Sequence, residues 1–164
     1  MRVLSHRKNS TMVAVGVIVS LFSLMFSTPA SQAAAKVSKK EYQTYINSMQ
    51  TLVKAENSIL TKYGSVTGDN YSDDETMYEV LTALAPEMNR FIARVEKIQP
   101  KNTTLRSIHK IYIAGWNLQF EAVLLTLEAL EDQSYAGMAK ANKVLSQGRS
   151  KMTDFRARIQ GLGY

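Results

Sequence analysis

One imidazole and one misplaced carboxylate carry most of the chemistry this sequence offers. Of the two histidines in 164 residues, His6 falls in an N-terminal leader, so His109 is the single imidazole of the remainder. There is no cysteine. A structural zinc site needs four nitrogen or sulfur ligands, which this inventory does not hold. No Glu-x-x-His pair is present either, so the di-iron arrangement of helical bundles is excluded. The sharpest reading of His109 is a haem ligand with a methionine opposite; a hydrogen-bonded core histidine accounts for it without needing a covalent haem motif, and none is present. A Ser–His–acid set can be drawn through any lone histidine and singles out no nucleophile. These residue types therefore name no catalytic residue, no metal ligand and no cofactor.

Glu56 is the sharper anomaly. It stands in an apolar stripe between Leu52/Val53 and Ile59/Leu60, where an unpaired carboxylate would cost several kcal/mol. Counting depth from helix ends sets it near Gln119 and Asn142. With His109 these form a candidate polar core layer or ligand site. One reading is a pocket halfway down the molecule; the other is a polar layer that fixes helix register. Methionines 49, 77, 88, 138 and 152 fall on inward stripes, where they fill irregular gaps or line a plastic cavity for a lipid-like ligand. On the last helix Lys140, Lys143, Lys151 and Arg158 share one outer face, a candidate basic surface that is either solvated or rests on anionic lipid or wall polymer. Arg149 and Arg156 add to that helix's charge, against Asp154 alone. The acidic stretch 69–75 lacks the central glycine and glutamate spacing of a calcium loop, and helix capping uses the same residues.

Helices must position all of these. In 101–132 nearly the whole circumference is apolar: Leu105, Ile108, Tyr112, Trp116, Phe120, Val123, Leu127 and Leu130 form one face. Only Lys110, Asn117, Glu121 and Glu128 make a polar ribbon. A helix of that kind is surrounded by neighbours. The others are predicted at 38–63, opened by the capping box Ser38-Lys39-Lys40-Glu41 and ended by a left-handed Gly64; at 73–99, opened by the box Ser72–Glu75; and at 134–160. Pro86 interrupts the second, but its stripe keeps phase and Pro86 falls outside, which predicts one kinked helix. Asn102 or Thr103 caps the central helix, which also explains the glycosylation sequon at 102–104. The fold class expected is all-α, an antiparallel up-down-up-down four-helix bundle, with each helix roughly 40 Å long.

The chain begins with a basic n-region (Arg2, Arg7, Lys8), an apolar run at 12–26 and small residues before Ala33. This is the layout of a secretory signal peptide, and the run is too short to span a bilayer. The expected organisation is a signal peptide at 1–33 and the bundle at 34–164, with a cut after Ala33 or Ala35. The leader holds three of the 20 Lys+Arg and none of the 14 Asp+Glu, so the remainder carries 17 against 14, a net +3. Without cysteine there is no lipidation site and no disulfide staple, so burial must do the stabilising.

Pro100, Leu105, Ile108-His109, Tyr112, Gly115 and Gln119, followed by 122–130, resemble small, largely uncharacterised exported helical-bundle proteins of Gram-positive bacteria. The resemblance covers the last two helices and implies fold and export, without an activity. The function expected is that of an exported, non-enzymatic protein, secreted or held at the bacterial cell surface. It binds a protein partner or an envelope component, including an anionic surface. It has no nucleic-acid partner and no transmembrane segment after processing. The alternative is a small-ligand carrier using the core near Glu56, Gln119 and His109, and a third class is an enzyme of unknown type.

Overall fold

In a computed structural model, which describes residues 36–164, the chain is all-helical, with no strand among the described residues. The expectations for the leader at 1–33 and for a cut after Ala33 or Ala35 lie outside the described residues. Five helices follow one another: α1 (Lys39–Gln50), α2 (Val53–Gly64), α3 (Asp74–Glu96), α4 (Thr103–Glu131) and α5 (Tyr135–Gln160). None is long and apolar enough to cross a membrane.

The first helix expected, 38–63, is two. Three hydroxyls along α1 bond back to carbonyls of the preceding turn: Thr44 to Lys40 (2.9 Å), Ser48 to Thr44 (3.0 Å) and Thr51 to Ser48 (2.7 Å). Side chains that compete for the helix's own acceptors bend it. The backbone then tightens, Leu52 N–H donating to Met49 O at 2.9 Å, and the Thr51 carbonyl is taken by Arg94 Nη2 at 3.3 Å. The start of α1 is as read, with Ser38 and Glu41 satisfying each other's amides. Two other caps differ. Gly64 is the last helical residue of α2, and Ser65 caps it in right-handed geometry, so the left-handed glycine is Gly68 (φ 64°) in a short 3-10 turn. At α3 the cap is Asp73, whose Oδ1 accepts from Thr76 N–H at 2.7 Å; its carboxylate serves the helix dipole better than the Ser72 hydroxyl would.

Pro86 lies inside an unbroken α3 and is exposed. The carbonyl it leaves without a donor can be met by water there, which is why the proline is tolerated. The buried side of α3 is Met77, Leu81, Leu84, Met88, Phe91, Ile92 and Val95, at helical spacing. α4 sits among the rest, with Leu105, Ile108, Tyr112, Trp116 and Val123 all nearly free of solvent contact.

α4 packs most extensively on α5, and also on α3, which in turn packs on α2. Neighbouring helices run antiparallel, as the cross-contacts Lys62–Glu87 with Thr51–Arg94, and Phe91–Trp116 with Val95–His109, require. The α4–α5 approach is set by two glycines. A Cβ on Gly148 would lie 2.9 Å from Gln119 Cγ, 3.1 Å from Gly115 O and 3.2 Å from Gln119 N; one on Gly115 would lie 2.7 Å from Met152 Sδ. Backbone meets backbone at this level.

Candidate functional site

His109 is closed on both sides. Its Nε2 lies 3.0 Å from Val95 O and its Nδ1 3.1 Å from Tyr45 Oη. A carbonyl only accepts, so Nε2 carries the proton, Nδ1 accepts from the Tyr45 hydroxyl, and the ring is neutral. Burial pulls its pKa below the ordinary 6.5, and the bond to Val95 opposes that only in part. Tyr45 packs edge-on against the ring and Tyr112 lies beyond it. With both nitrogens engaged and only 2% of its surface exposed, this imidazole has no free position for a ligand.

Glu56, one turn into α2, is half-buried. Burial pushes its carboxyl above the ordinary 4.5, while the Tyr112 hydroxyl, the charge of Arg156 and the Trp116 indole N–H favour the ionised form. Seven residues on, Tyr63 is raised by burial and lowered by the charge of Arg149. On α5, Arg149 and Arg156 are likewise seven residues apart. Two helices running antiparallel therefore set Glu56 against Arg156 and Tyr63 against Arg149, two turns apart along one seam. The floor of the seam is Tyr112 and Trp116 of α4, with Phe155 and Phe91 ring-packed on them at 4.7 and 4.6 Å.

Two buried donors in this seam make no direct hydrogen bond. Trp116 is 1% exposed, and its Nε1 makes no hydrogen bond, although the Glu56 carboxylate lies close enough to feel it. Arg149 Nη2 is buried and makes none either. Buried polar atoms are nearly always paired, so two orphans of one sign in one seam are unusual.

The remaining residues of the expected polar layer do not meet there. Gln119 is half-buried, with its Cγ against Gly148 and its amide 3.4 Å from Gly115 O; it belongs to the α4–α5 contact. Asn142 is exposed, whereas Ala141 and Leu145 face inward. Depth along α5 was the error: Asn142, Arg149 and Arg156 share one face at seven-residue spacing, and the residue level with Glu56 is Arg156, about 21 Å further along the helix than Asn142. Arg149, Arg156 and Tyr63 take the expected place of Gln119 and Asn142. The matching seven-residue spacings on α2 and α5 were the signal that pointed to them.

Lys140, Lys143, Lys151 and Arg158 are all exposed. Arg158 pairs with Asp154 at 2.8 Å on its own helix; the three lysines have no acidic partner among the described residues. A recess of about 90 Å³ at the α4–α5 turn is lined by Leu125, Glu128, Asp132, Ser134 and Lys140, at the opposite end of α5 from Arg156. No group of three or more His, Asp or Glu side chains that could hold a metal occurs among the described residues. No protein-family model, curated protein or solved structure matches this chain.

Proposed function

We propose that the chain is an exported protein of non-enzymatic function: an up-down-up-down four-helix bundle, with α1 and α2 as one broken helix, that binds an anionic component of the bacterial cell envelope. The observation that carries this reading is the segregation of charge. α1, α2 and α5 hold ten Lys+Arg against three acids, a net +7, while α3 and α4 hold four against eight, a net −4. The basic helices adjoin one another. Tyr42 and Ile46 of α1 share an apolar cluster with Phe155 and Ile159 of α5, and α2 meets α5 along the seam. One flank of the molecule is thus basic, and the unpaired lysines of α5 stand on it. Such a flank attracts a polyanion or an anionic bilayer, and salt screens the attraction.

The reading is tested by sedimentation with vesicles of phosphatidylglycerol or of phosphatidylcholine. Retention on the anionic vesicles should fall as salt rises and be lost in Lys140→Glu/Lys143→Glu/Lys151→Glu; equal retention on both lipids, or by the triple variant, would overturn it. N-terminal sequencing of secreted material should begin after Ala33 or Ala35, and an intact Met1 would sink the export half of the reading. A ligand carrier is the second reading, and the observation favouring it is two buried donors without a hydrogen bond, Trp116 Nε1 near Glu56 and Arg149 Nη2 near Tyr63.

A further inference from the structure

One apolar row of α4 is left out of the core. Ile111, Leu118 and Leu125 recur every seven residues and so lie along one line of the helix, about 21 Å long. All three are half-buried, and among the described residues none packs into either of the two apolar clusters. At 100° per residue they point away from Trp116 and Phe120, which join the cluster around Phe91.

The edge of α5 beside this row is basic. A Cβ on Gly115, which sits between Ile111 and Leu118, would lie 3.3 Å from Lys151 Cβ. Nearer the hairpin turn, Leu125 and Lys140 line the same recess. Contacts at two levels therefore set Lys140 and Lys151 alongside the row, with half-buried Val144 and exposed Gln147 between them at helical spacing. Neither lysine has an acidic partner among the described residues. Glu121, and Glu128 at the rim of the recess, stand on the outer side of the row.

We infer that this face of the α4–α5 hairpin lies flat on an anionic bilayer. Ile111, Leu118 and Leu125 enter the boundary between headgroups and acyl chains, and Lys140 and Lys151 reach the phosphates beside them. The inference rests on the anionic-envelope reading and narrows its partner from any polyanion to a lipid surface. A soluble polyanion would engage the lysines and leave the row in water. A bilayer takes both, because lysine stems lie along apolar surface while their ammonium groups reach outward. A second copy fits less well: laid face to face about either two-fold axis, it sets lysine against lysine or lysine against leucine.

The chain has no cysteine, so single labels can be placed without background. Leu118→Cys, Leu125→Cys and, as control, Ala93→Cys at an exposed position of α3 carry a polarity-sensitive nitrobenzoxadiazole dye. With phosphatidylglycerol vesicles, the labels at 118 and 125 should shift to shorter wavelength and be quenched by lipids spin-labelled near the headgroup. The label at 93 should do neither. Unlabelled Leu118→Gln/Leu125→Gln should bind these vesicles about tenfold or more weakly than the parent. Retention on the vesicles with the labels at 118 and 125 unmoved would overturn the bilayer seat and leave the wider anionic reading standing. Lack of retention would remove both. Labels at 118 and 125 already at short wavelength in buffer would mean that the chain itself covers the face, or a second copy does if dilution reverses the shift, and either overturns the inference.

Discussion

Two polar intrusions into the apolar interior have been resolved in opposite ways. At one end of α4, His109 has a donor for its lone pair and an acceptor for its proton, and the site is complete. Two turns along the same helix, the seam around Glu56 has a carboxylate shared by several groups and two donors with none. A polar group in a core is thus not one kind of feature. His109 is closed by one partner from α1 and one from α3; Glu56, on the helix that starts just after the break at Thr51–Leu52, faces groups of α4 and α5 that its carboxylate does not fully satisfy.

Replacing Trp116 tests the larger half of that contrast. Trp116→Ala removes the floor of the seam and should cost about 3–5 kcal/mol, whereas Asn117→Ala next to it, at an exposed position, should stay within about 0.5 kcal/mol. Thermal or denaturant melts of the pair decide it, and equal effects would mean that the seam is not part of the core. Gly148→Ala comes next. Alanine in a helix interior normally gains about 1 kcal/mol over glycine, but here its methyl would meet the Gly115 carbonyl and the Gln119 amide at 3.1 and 3.2 Å. A net loss of roughly 1–2 kcal/mol is expected, and a gain would show that α4 and α5 can part at this level.

The sequence made the first of these legible and not the second. Trp116, Tyr112 and the stripe of α3 could be placed inward because apolar periodicity reports rotation about a helix axis. Glu56 could be flagged because it broke such a stripe. Its partners could not be chosen, because Asn142, Arg149 and Arg156 share one face of α5 at seven-residue spacing and only the seating of α2 against α5 decides which stands level with Glu56. The break between α1 and α2 was hidden for a related reason: Thr44, Ser48 and Thr51 are unremarkable one at a time and act through carbonyls that no pattern displays.

Tyr45→Phe probes the closed site. It leaves His109 Nδ1 without its donor and should cost about 1 kcal/mol; no loss would mean that water replaces the hydroxyl. The smallest effects, and the most direct comparison, lie in pH. His109 is depressed below 6.5, so as pH falls past that value the unfolded chain takes up the proton first and stability declines. Glu56 is raised above 4.5, so as pH falls toward that value the folded chain takes up the proton first and stability increases. The two oppose each other on the acid side of neutrality. Glu56→Gln should therefore melt higher than the parent near pH 8, with the gap closing toward pH 4.5. His109→Gln should lose the decline below pH 6.5. Melting curves across that range check both, and parallel profiles for all three proteins would remove the distinction between the sites.

The facing glycines also bear on the order in which the molecule assembles. α4 and α5 are joined through a turn at 132–134, with Gln133 in left-handed backbone (φ 49°), so their contacts are short in sequence and close at little entropic cost. α2 must instead reach back across the chain to find Arg149 and Arg156. The α4–α5 hairpin is then the unit whose amides should exchange slowest with solvent, and α2 the unit that docks last and opens first. Opening α2 alone would bare Glu56 and Trp116 while the hairpin stays whole, so the seam can be entered many times between global unfolding events.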